Sequence, residues 1–164
     1  MKFTATQLVT KISVSDVLVS KSFYENILGF QVDDRYTINV KSKKDKNKKH
    51  QKEFQKESYM QLNAPSNNGG AFTLGLFKDI KKPFKKVPKN GTVPSFIVDD
   101  IHATLHHFLE KHVVVEVAME QATGDDKYII ENKSDEGYVD LFFFFCDPDN
   151  NSLVIRQNLP KLPA

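Results

Sequence analysis

Four of the five histidines of this chain stand within residues 102–112, and histidine is the side chain that most readily binds a metal or moves a proton near neutral pH. His102 and His106 are four residues apart, so on a helix they would share a face and could hold a metal ion. No catalytic partner stands near them in the sequence. We therefore interpret the cluster as solvated histidines on the exposed face of a helix.

A cysteine and two aspartates near the carboxyl terminus could also carry chemistry. Cys146, the single cysteine, precedes the sequence DPDNN at residues 147–151. No His–Asp pair is placed to activate its thiol as a nucleophile, so we interpret Cys146 as buried and unreactive. Asp147 and Asp149 could act as a general acid–base pair, but an Asp-Pro turn explains both. We expect no catalytic residue here.

Composition limits the class of protein. At 164 residues, with 40% hydrophobic and 27% charged residues, the chain has room for one domain or two small packed modules. A net charge of +2 is too small to indicate a nucleic-acid partner, and no apolar run approaches the roughly 20 residues that span a bilayer. One cysteine allows no internal disulfide. We expect a cytoplasmic protein with neither a nucleic-acid nor a membrane partner.

The elements that must position these side chains begin with residues 9–30, VTKISVSDVLVSKSFYENILGF. Ile12 and Val14 alternate with polar residues, which is typical of a strand with one buried face. Asp16 suits a helix N-cap, because its carboxylate can accept the first free backbone N–H groups. Gly29 stands where a helix ending in the left-handed conformation needs it. The stretch predicts a strand, a capped helix and a glycine stop.

The same pattern returns over residues 93–114, VPSFIVDDIHATLHHFLEKHVV. Phe96 aligns with Ile12, and Asp100 aligns with the cap residue Asp16. Further strands are predicted over residues 30–40, 57–63 and 71–77 in the first half and over 113–119, 137–146 and 152–157 in the second, with a polar, irregular segment at 120–136. The duplication therefore predicts an α+β chain of two βαβββ modules.

Composition also sets the module boundaries. We assign residues 1–80 to the first module, 81–90 to a linker containing proline and lysine, and 91–160 to the second module, together forming one structural domain. Residues 41–56 are rich in lysine and favour a mobile, solvated hairpin tip. The alternative is an arm that contacts nucleic acid or an acidic surface, but Phe54 is the only aromatic residue available there for stacking on bases.

Motifs at both ends of the chain resemble those of a known family. Residues 14–16 read V-S-D, residues 23–30 read FYENILGF, and residues 147–151 read DPDNN. These resemble V-x-D, FY-x-x-x-LGF and D-P-D-G-N of the vicinal oxygen chelate superfamily, which includes glyoxalase I, the bleomycin-resistance proteins and the extradiol dioxygenases. Asn in place of Gly is a mild change, since Asn adopts the left-handed conformation readily. The resemblance implies that the two sheets curl into a shared cup with the helices packed outside, the glyoxalase/bleomycin-resistance/dioxygenase fold.

Metal enzymes of this superfamily place four ligands in the cup, and the resemblance assigns three of those positions to Val9, Val93 and Val154. The fourth falls within residues 71–77, AFTLGLF, which contain no His, Asp, Glu or Cys. Valine offers no nitrogen, oxygen or thiolate donor to a divalent metal. The resemblance therefore implies a member with no metal and no cofactor, rather than a metal-dependent glyoxalase or dioxygenase.

Strand alternation places other side chains on the cup side of each sheet. They supply hydroxyl groups, cations and aromatic rings: Lys11, Ser13, Ser95, Phe142, Phe144, Ser152 and Arg156. Hydroxyls and cations suit an anionic or oxygen-rich molecule, and phenylalanines suit a planar one. The alternative is that Lys11 and Arg156 lie at the rim and reach solvent, and that the phenylalanines belong to the core.

These observations together favour a protein that binds a small anionic or aromatic molecule and acts by sequestering it. Two alternatives stay open: a metal-dependent lyase or dioxygenase with displaced ligands, and an interaction module that uses the lysine-rich segment. Members of the family often dimerise, so we expect a homodimer, although two modules in one chain also allow a complete cup in a monomer.

Overall fold

A computed structural model describes residues 8–38, 40, 58–64, 72–87, 92–134 and 136–160. The chain divides into two compact units, Met1–Lys85 and Lys86–Ala164. The lysine-rich segment 41–56 lies outside the described residues. Within the described ranges, no helix combines the length and hydrophobicity that crossing a membrane requires.

One helix and a four-stranded sheet make up the first unit. Its elements are β1 (Val9–Val14), α1 (Val17–Leu28), β2 (Gln31–Ile38), β3 (Tyr59–Asn63) and β4 (Thr73–Lys78). The strands lie in the order β1-β4-β3-β2, with β1 parallel to β4 and the other neighbours antiparallel. This is the predicted βαβββ module.

Both ends of α1 are fixed by the residues that the sequence indicated. The Asp16 carboxylate accepts hydrogen bonds from the backbone N–H groups of Leu18 at 2.9 Å and Val19 at 3.3 Å. Gly29 adopts the left-handed conformation with φ 71°, and its N–H donates to the carbonyl oxygen of Glu25. The glycine is needed there because a side chain at that φ is strained.

The core of this unit lies between α1 and one face of the sheet. Alternation in β1 buries Ile12 and Val14, and Ile12 lies beside Leu76 in the register of the sheet. α1 packs beside β4 and contributes Tyr24, which is fully buried and meets Phe30 edge to face at 6.0 Å between ring centroids. The opposite face of the sheet carries a mixture of polar and aromatic residues, among them Lys11, Gln61, Tyr59 and Phe77.

The second unit repeats the design with one added strand. Its elements are β5 (Ser95–Ile97), α2 (Ile101–Glu110), β6 (Val114–Val115), a short 3₁₀ helix (Gly124–Lys127), β7 (Ile130–Lys133), β8 (Val139–Cys146) and β9 (Ser152–Asn158). Strands β5, β9, β8 and β6 follow one another in the sheet. β7 pairs with β8 on the same edge as β6, because β9 occupies the other edge.

Two predictions for this unit were wrong. The strand expected over 113–119 ends at Val115, because the N–H groups of Ala118 and Met119 turn away to the carbonyl oxygen of Lys127. Residues 120–136 are not irregular throughout, since they contain the 3₁₀ helix and β7. A short strand at the edge of a sheet buries little surface. In β7 only Ile130 is half-buried and the other residues are exposed, so hydrophobic alternation could not reveal β7.

α2 is capped by Asp100, whose carboxylate accepts from the N–H of Ala103 at 2.9 Å. Phe108 of α2 lies against Phe143 and Phe145 of β8, with ring centroids 5.7 and 4.8 Å apart. Gln157 of β9 accepts a hydrogen bond from the first helical N–H. α2 is therefore fixed on the sheet by aromatic packing and by a polar contact at its start.

Candidate functional site

The sheet of the second unit has one face against α2 and one face turned away from it. Phe143 and Phe145 point toward α2, so the alternate positions of β8 point to the other side. On the neighbouring strands, the residues directly opposite these positions of β8 lie on the same face of the sheet. We call this face the open face. It carries Ser95, Ile97, Asp140, Phe142, Phe144, Cys146, Ser152, Val154 and Arg156.

Five of the seven predicted site residues lie on this open face. Phe142 is the Cα partner of Arg156, and Phe144 is the partner of Val154, which also pairs with Ser95. Ser152 is at the far end of β9, beside Cys146. The rings of Phe142 and Phe144 meet edge to face with centroids 5.7 Å apart, and both are half-buried. The result is an aromatic patch flanked by hydroxyls and one cation.

Arg156 has a partner that sequence reasoning missed. Its Nε lies 3.3 Å from Oδ2 of Asp140, and the two side chains are 45% and 20% exposed. Asp140 stands two residues before Phe142, so the alternation that placed Phe142 and Phe144 would also have placed the carboxylate on this face. The ion pair fixes the guanidinium on the same sheet face as the two phenylalanine rings.

Cys146 is half-buried, not fully buried as the sequence suggested, and the aspartates after it shape a turn. Burial raises the pKa of the Cys146 thiol, and the negative charges of Asp147 and Glu116 raise it further. The thiol therefore stays protonated at neutral pH and is a poor nucleophile. Asp147 Oδ1 accepts from the N–H groups of Asp149 and Asn151 at 2.9 Å, and Asn150 has φ 62°. The sequence DPDNN is a turn, as predicted.

The remaining two predicted residues lie on the first unit, on the sheet face opposite α1. Lys11 is the Cα partner of Gly75, and its Nζ lies 4.0 Å from the centroid of the Phe77 ring. Ser13 donates a hydrogen bond to Asp79 Oδ2 at 2.9 Å. Lys11 is exposed, so its charge stays in contact with water while it rests on an aromatic face.

Tyr59 and Gln61 on the same face were also missed. A Cβ atom built on Gly75 would lie 2.6 Å from both Cε2 and Oη of Tyr59, so the ring lies directly over the glycine. The Tyr59 hydroxyl donates to Gln61 Oε1 at 3.4 Å, and burial raises the pKa of Tyr59. Alternation in β3 could have revealed them, since Met60 and Leu62 are buried against the helix side.

At the other end of this face, Asp33 is held in a polar network. Arg35 donates to both of its carboxylate oxygens, from Nε at 2.9 Å and from one terminal nitrogen at 2.8 Å. Asn63 donates to the same carboxylate at 3.1 Å and accepts from Thr73 at 3.1 Å. These contacts, the Arg35 hydrogen bonds foremost, hold the pKa of Asp33 well below its usual range.

The residues that the sequence resemblance assigns to the superfamily's metal positions do not fit a metal ion. Val9 pairs with Thr73, and Val154 lies between Ser95 and Phe144. Val93 is 42% exposed and precedes β5. The valine and phenylalanine side chains have no atom that could bind a metal ion, and the hydroxyl groups of Thr73 and Ser95 are weak ligands. Across the ranges that the structure describes, no group of three or more His, Cys, Asp or Glu side chains could hold a metal ion.

Comparison with known proteins agrees with this architecture. The sequence model that describes the Glyoxalase/Bleomycin resistance protein/Dioxygenase superfamily matches residues 6–155 of this chain. The chain belongs to this superfamily. The predicted α+β fold class and the sequence resemblance are thereby confirmed. No curated protein is similar enough in sequence to match the chain.

Several solved structures share the fold of this superfamily member at low sequence identity. The fosfomycin resistance protein FosX from Listeria monocytogenes, complexed with Mn(II) and sulfate, has a TM-score of 0.59 at 10% identity, over 97% of this chain and 95% of that chain. A glyoxalase/bleomycin resistance protein/dioxygenase from Alicyclobacillus acidocaldarius has 0.57 at 12%, over 98% and 96%. TnmS3, an antibiotic binding protein from Streptomyces sp. CB03234, has 0.55 at 18%, over 97% and 99%. At these identities the likeness shows the fold alone.

Proposed function

We propose that this superfamily member binds a planar aromatic small molecule on the open face of its second unit, without a metal ion, and acts by sequestering it. The observation that carries the proposal is the edge-to-face pair of Phe142 and Phe144, half-buried on a sheet face beside the Arg156–Asp140 ion pair.

The apolar part of this face suits a flat ligand. Ile130 of β7 is the Cα partner of Phe142, and Val154 is the partner of Phe144, so aliphatic side chains flank the rings on both sides. Aromatic rings attract other rings in edge-to-face or offset arrangements. A contiguous apolar surface with a polar rim is typical of a binding site rather than of a surface facing only water.

The polar part would fix the orientation of the ligand. Arg156 offers a cation whose position is set by Asp140, and Ser95 and Ser152 offer hydroxyl groups that donate or accept. Because Arg156 already neutralises one carboxylate, an uncharged ligand with oxygen substituents suits the face better than a free anion does. This narrows the sequence-based expectation of an anionic or aromatic ligand to an aromatic one.

The name of one similar structure, the antibiotic binding protein TnmS3, supports an antibiotic-like ligand. The fosfomycin resistance protein FosX is complexed with Mn(II) and so supports the metal-dependent alternative instead. By extension, we propose that the ligand of this chain is an aromatic, antibiotic-like compound that is bound and not transformed. The metal positions occupied by valine support binding without a metal ion.

Isothermal titration with a panel of aromatic and aliphatic compounds, in the presence and absence of EDTA, tests the proposal. We expect at least one aromatic compound to bind, with the same affinity after EDTA treatment. Phe144→Leu and Arg156→Gln should each weaken binding by roughly tenfold or more. Tyr36→Leu, on an exposed tyrosine of the first unit, is the matched control. Loss of binding with EDTA would favour the metal-dependent alternative, and equal binding by Phe144→Leu would contradict the open face as the site.

A further inference from the structure

One ion pair sets the charge at the polar end of the open face. Asp140 of β8 and Arg156 of β9 lie on this face, with Oδ2 and Nε 3.3 Å apart. The Cα partners of Asp140 on the two neighbouring strands are Asn132 and Asn158, which carry no charge. Glu116, which follows β6, lies on the other side of β8 from Arg156. Asp140 is therefore the carboxylate that opposes the guanidinium.

The ion pair leaves hydrogen-bonding capacity for a ligand. A guanidinium has several N–H donors, and the contact to Asp140 is made through Nε, so the terminal nitrogens can donate to a ligand oxygen. Asp140 is partly exposed, and a carboxylate has several lone pairs, so it can accept from a ligand as well. A donor and an acceptor thus stand side by side next to Phe142, the Cα partner of Arg156.

We propose that Asp140 determines which ligands the open face accepts: aromatic compounds with an uncharged donor–acceptor group, such as a carboxamide, are bound, and their carboxylate analogues are rejected. This inference rests on the proposed function of the face. A carboxamide can accept from Arg156 through its oxygen and donate to Asp140 through its N–H. A carboxylate has no proton to donate and would place a second negative charge beside Asp140.

The rejection follows from the cost of removing a charge from water. An anion that moves from water onto a partly apolar surface loses hydration, and it binds tightly only where a cation replaces those contacts. Arg156 is already opposed by Asp140, so its attraction for an incoming carboxylate is offset by repulsion. A repulsive group is one of the ways in which a site excludes a close analogue. The same ring system should therefore bind more tightly as its amide than as its carboxylate.

Removing the charge of Asp140 should reverse this selectivity. Asp140→Asn keeps the size of the side chain, leaves Arg156 unopposed and offers an N–H donor to the ligand. The guanidinium and a ligand carboxylate can then form charge-assisted hydrogen bonds, which are stronger than those between neutral groups. If Asp140 only held Arg156 in place, its loss would change the binding of both analogues in the same proportion. The ratio of the two affinities therefore distinguishes the two roles.

Isothermal titration with 2-naphthamide and 2-naphthoate, which share one ring system, tests the proposal. We expect the unchanged protein to bind the amide at least about tenfold more tightly than the carboxylate, and Asp140→Asn to prefer the carboxylate by about the same factor. Binding of the carboxylate to Asp140→Asn should weaken as salt is added, because salt screens the attraction. Circular dichroism checks that the variants fold, and Asp140→Glu, which keeps the charge, should keep the preference for the amide.

Glu131→Gln is the matched control. Glu131 of β7 is exposed and is the Cα partner of Leu141, which alternates with Phe142, so its carboxylate lies on the α2 side of the sheet. This variant loses the same charge and should keep the affinity ratio of the unchanged protein. An unchanged ratio in Asp140→Asn would overturn the inference and leave the proposed function in place. If no variant binds either naphthalene compound, the inference is overturned, and the proposed function fails with it when the wider aromatic panel is also inert.

Discussion

Gly75 has little freedom to change, because the Tyr59 ring lies over it. We expect Gly75→Ala to destabilise the folded chain by roughly 1–3 kcal/mol, since the added Cβ would lie 2.6 Å from the ring and must displace it. Urea denaturation of the two proteins measures the difference in unfolding free energy.

Removing the ring provides the control for this prediction. In a Tyr59→Leu background the same change should be neutral or stabilising, because alanine restricts the unfolded chain more than glycine does. A double-mutant cycle isolates the coupling between the two positions. If Gly75→Ala lowers the unfolding free energy equally in both backgrounds, the Tyr59 ring is not the obstacle.

Asp33 should make stability depend on acid pH. Its pKa is lowered from the ordinary 3.8, so its ionised form stabilises the folded chain above about pH 4, and this contribution is lost as the pH falls through the lower folded-state value. Thermal melts between pH 7 and pH 2 should show that Asp33→Asn lowers the melting temperature at pH 7 and flattens its decline in acid.

Asp34→Asn is the matched control for this pH dependence. Asp34 is the exposed neighbour of Asp33, and the same change of carboxylate to amide there should leave the melting profile close to that of the unchanged protein. Identical profiles for Asp33→Asn and the unchanged protein would mean that the Arg35 contact does not persist in solution.

Residues that act through nearby backbone were predictable from sequence, and residues that act through distant partners were not. Asp16 and Asn150 need only a helix start or a turn beside them, so their types and positions were sufficient. The pairing of Asp33 with Asn63 spans 30 positions and that of His106 with Asp125 spans 19. No periodicity within one element indicates such partners, because the fold brings them together.

At the scale of the element, the faces of β8 can be tested with neighbouring phenylalanines. Phe143 is fully buried against Phe108, so Phe143→Ala should cost about 3–5 kcal/mol of unfolding free energy. Phe142 is half-buried on the open face, and Phe142→Ala should cost clearly less. Urea denaturation distinguishes the two, and a reversed order would contradict the assignment of faces.

The capping aspartate of α2 gives a second test at this scale. Asp100→Ala should lower the unfolding free energy by about 1 kcal/mol, because the N–H of Ala103 loses its acceptor. Asp99→Ala, one residue before the cap, is the control and should have a much smaller effect. If thermal melts of the two variants coincide, the cap contributes nothing in solution.

The helices and most strands were predictable because the sequence is duplicated and each helix has a capping aspartate. The exceptions lie in the second unit, at β6 and β7. Strand β6 ends early since Val117 and Met119, which continue the apolar alternation, are exposed outside the sheet. Strand β7 is polar since it lies at an edge and has little to bury. A hydrophobic pattern in the sequence indicates which residues are buried. Strands at the edge of a sheet have few buried residues, so the pattern does not reveal them.

For the whole molecule, the sequence-based expectation of a homodimer stays a prediction. It rests on the family resemblance, and β1 and β5, each the outer strand of its sheet, are the kind of edge that can pair with another chain. Light scattering coupled to gel filtration should give a mass near twice 18.7 kDa. A mass of 18.7 kDa at all concentrations would show a monomer.

The position of β8 bears on how the chain avoids aggregation while it is being made. Its sequence VDLFFFFC is apolar and rich in aromatic residues, which is the composition that assembles into intermolecular β-structure when a strand is left uncovered. In the folded unit it is the central strand, with β9 on one edge and β6 and β7 sharing the other. During synthesis β6 and β7 emerge before β8 and β9 emerges after it. β6 and β7 can therefore cover one edge of β8 as soon as β8 has been synthesised. β9 then covers the other edge of β8 a few residues later.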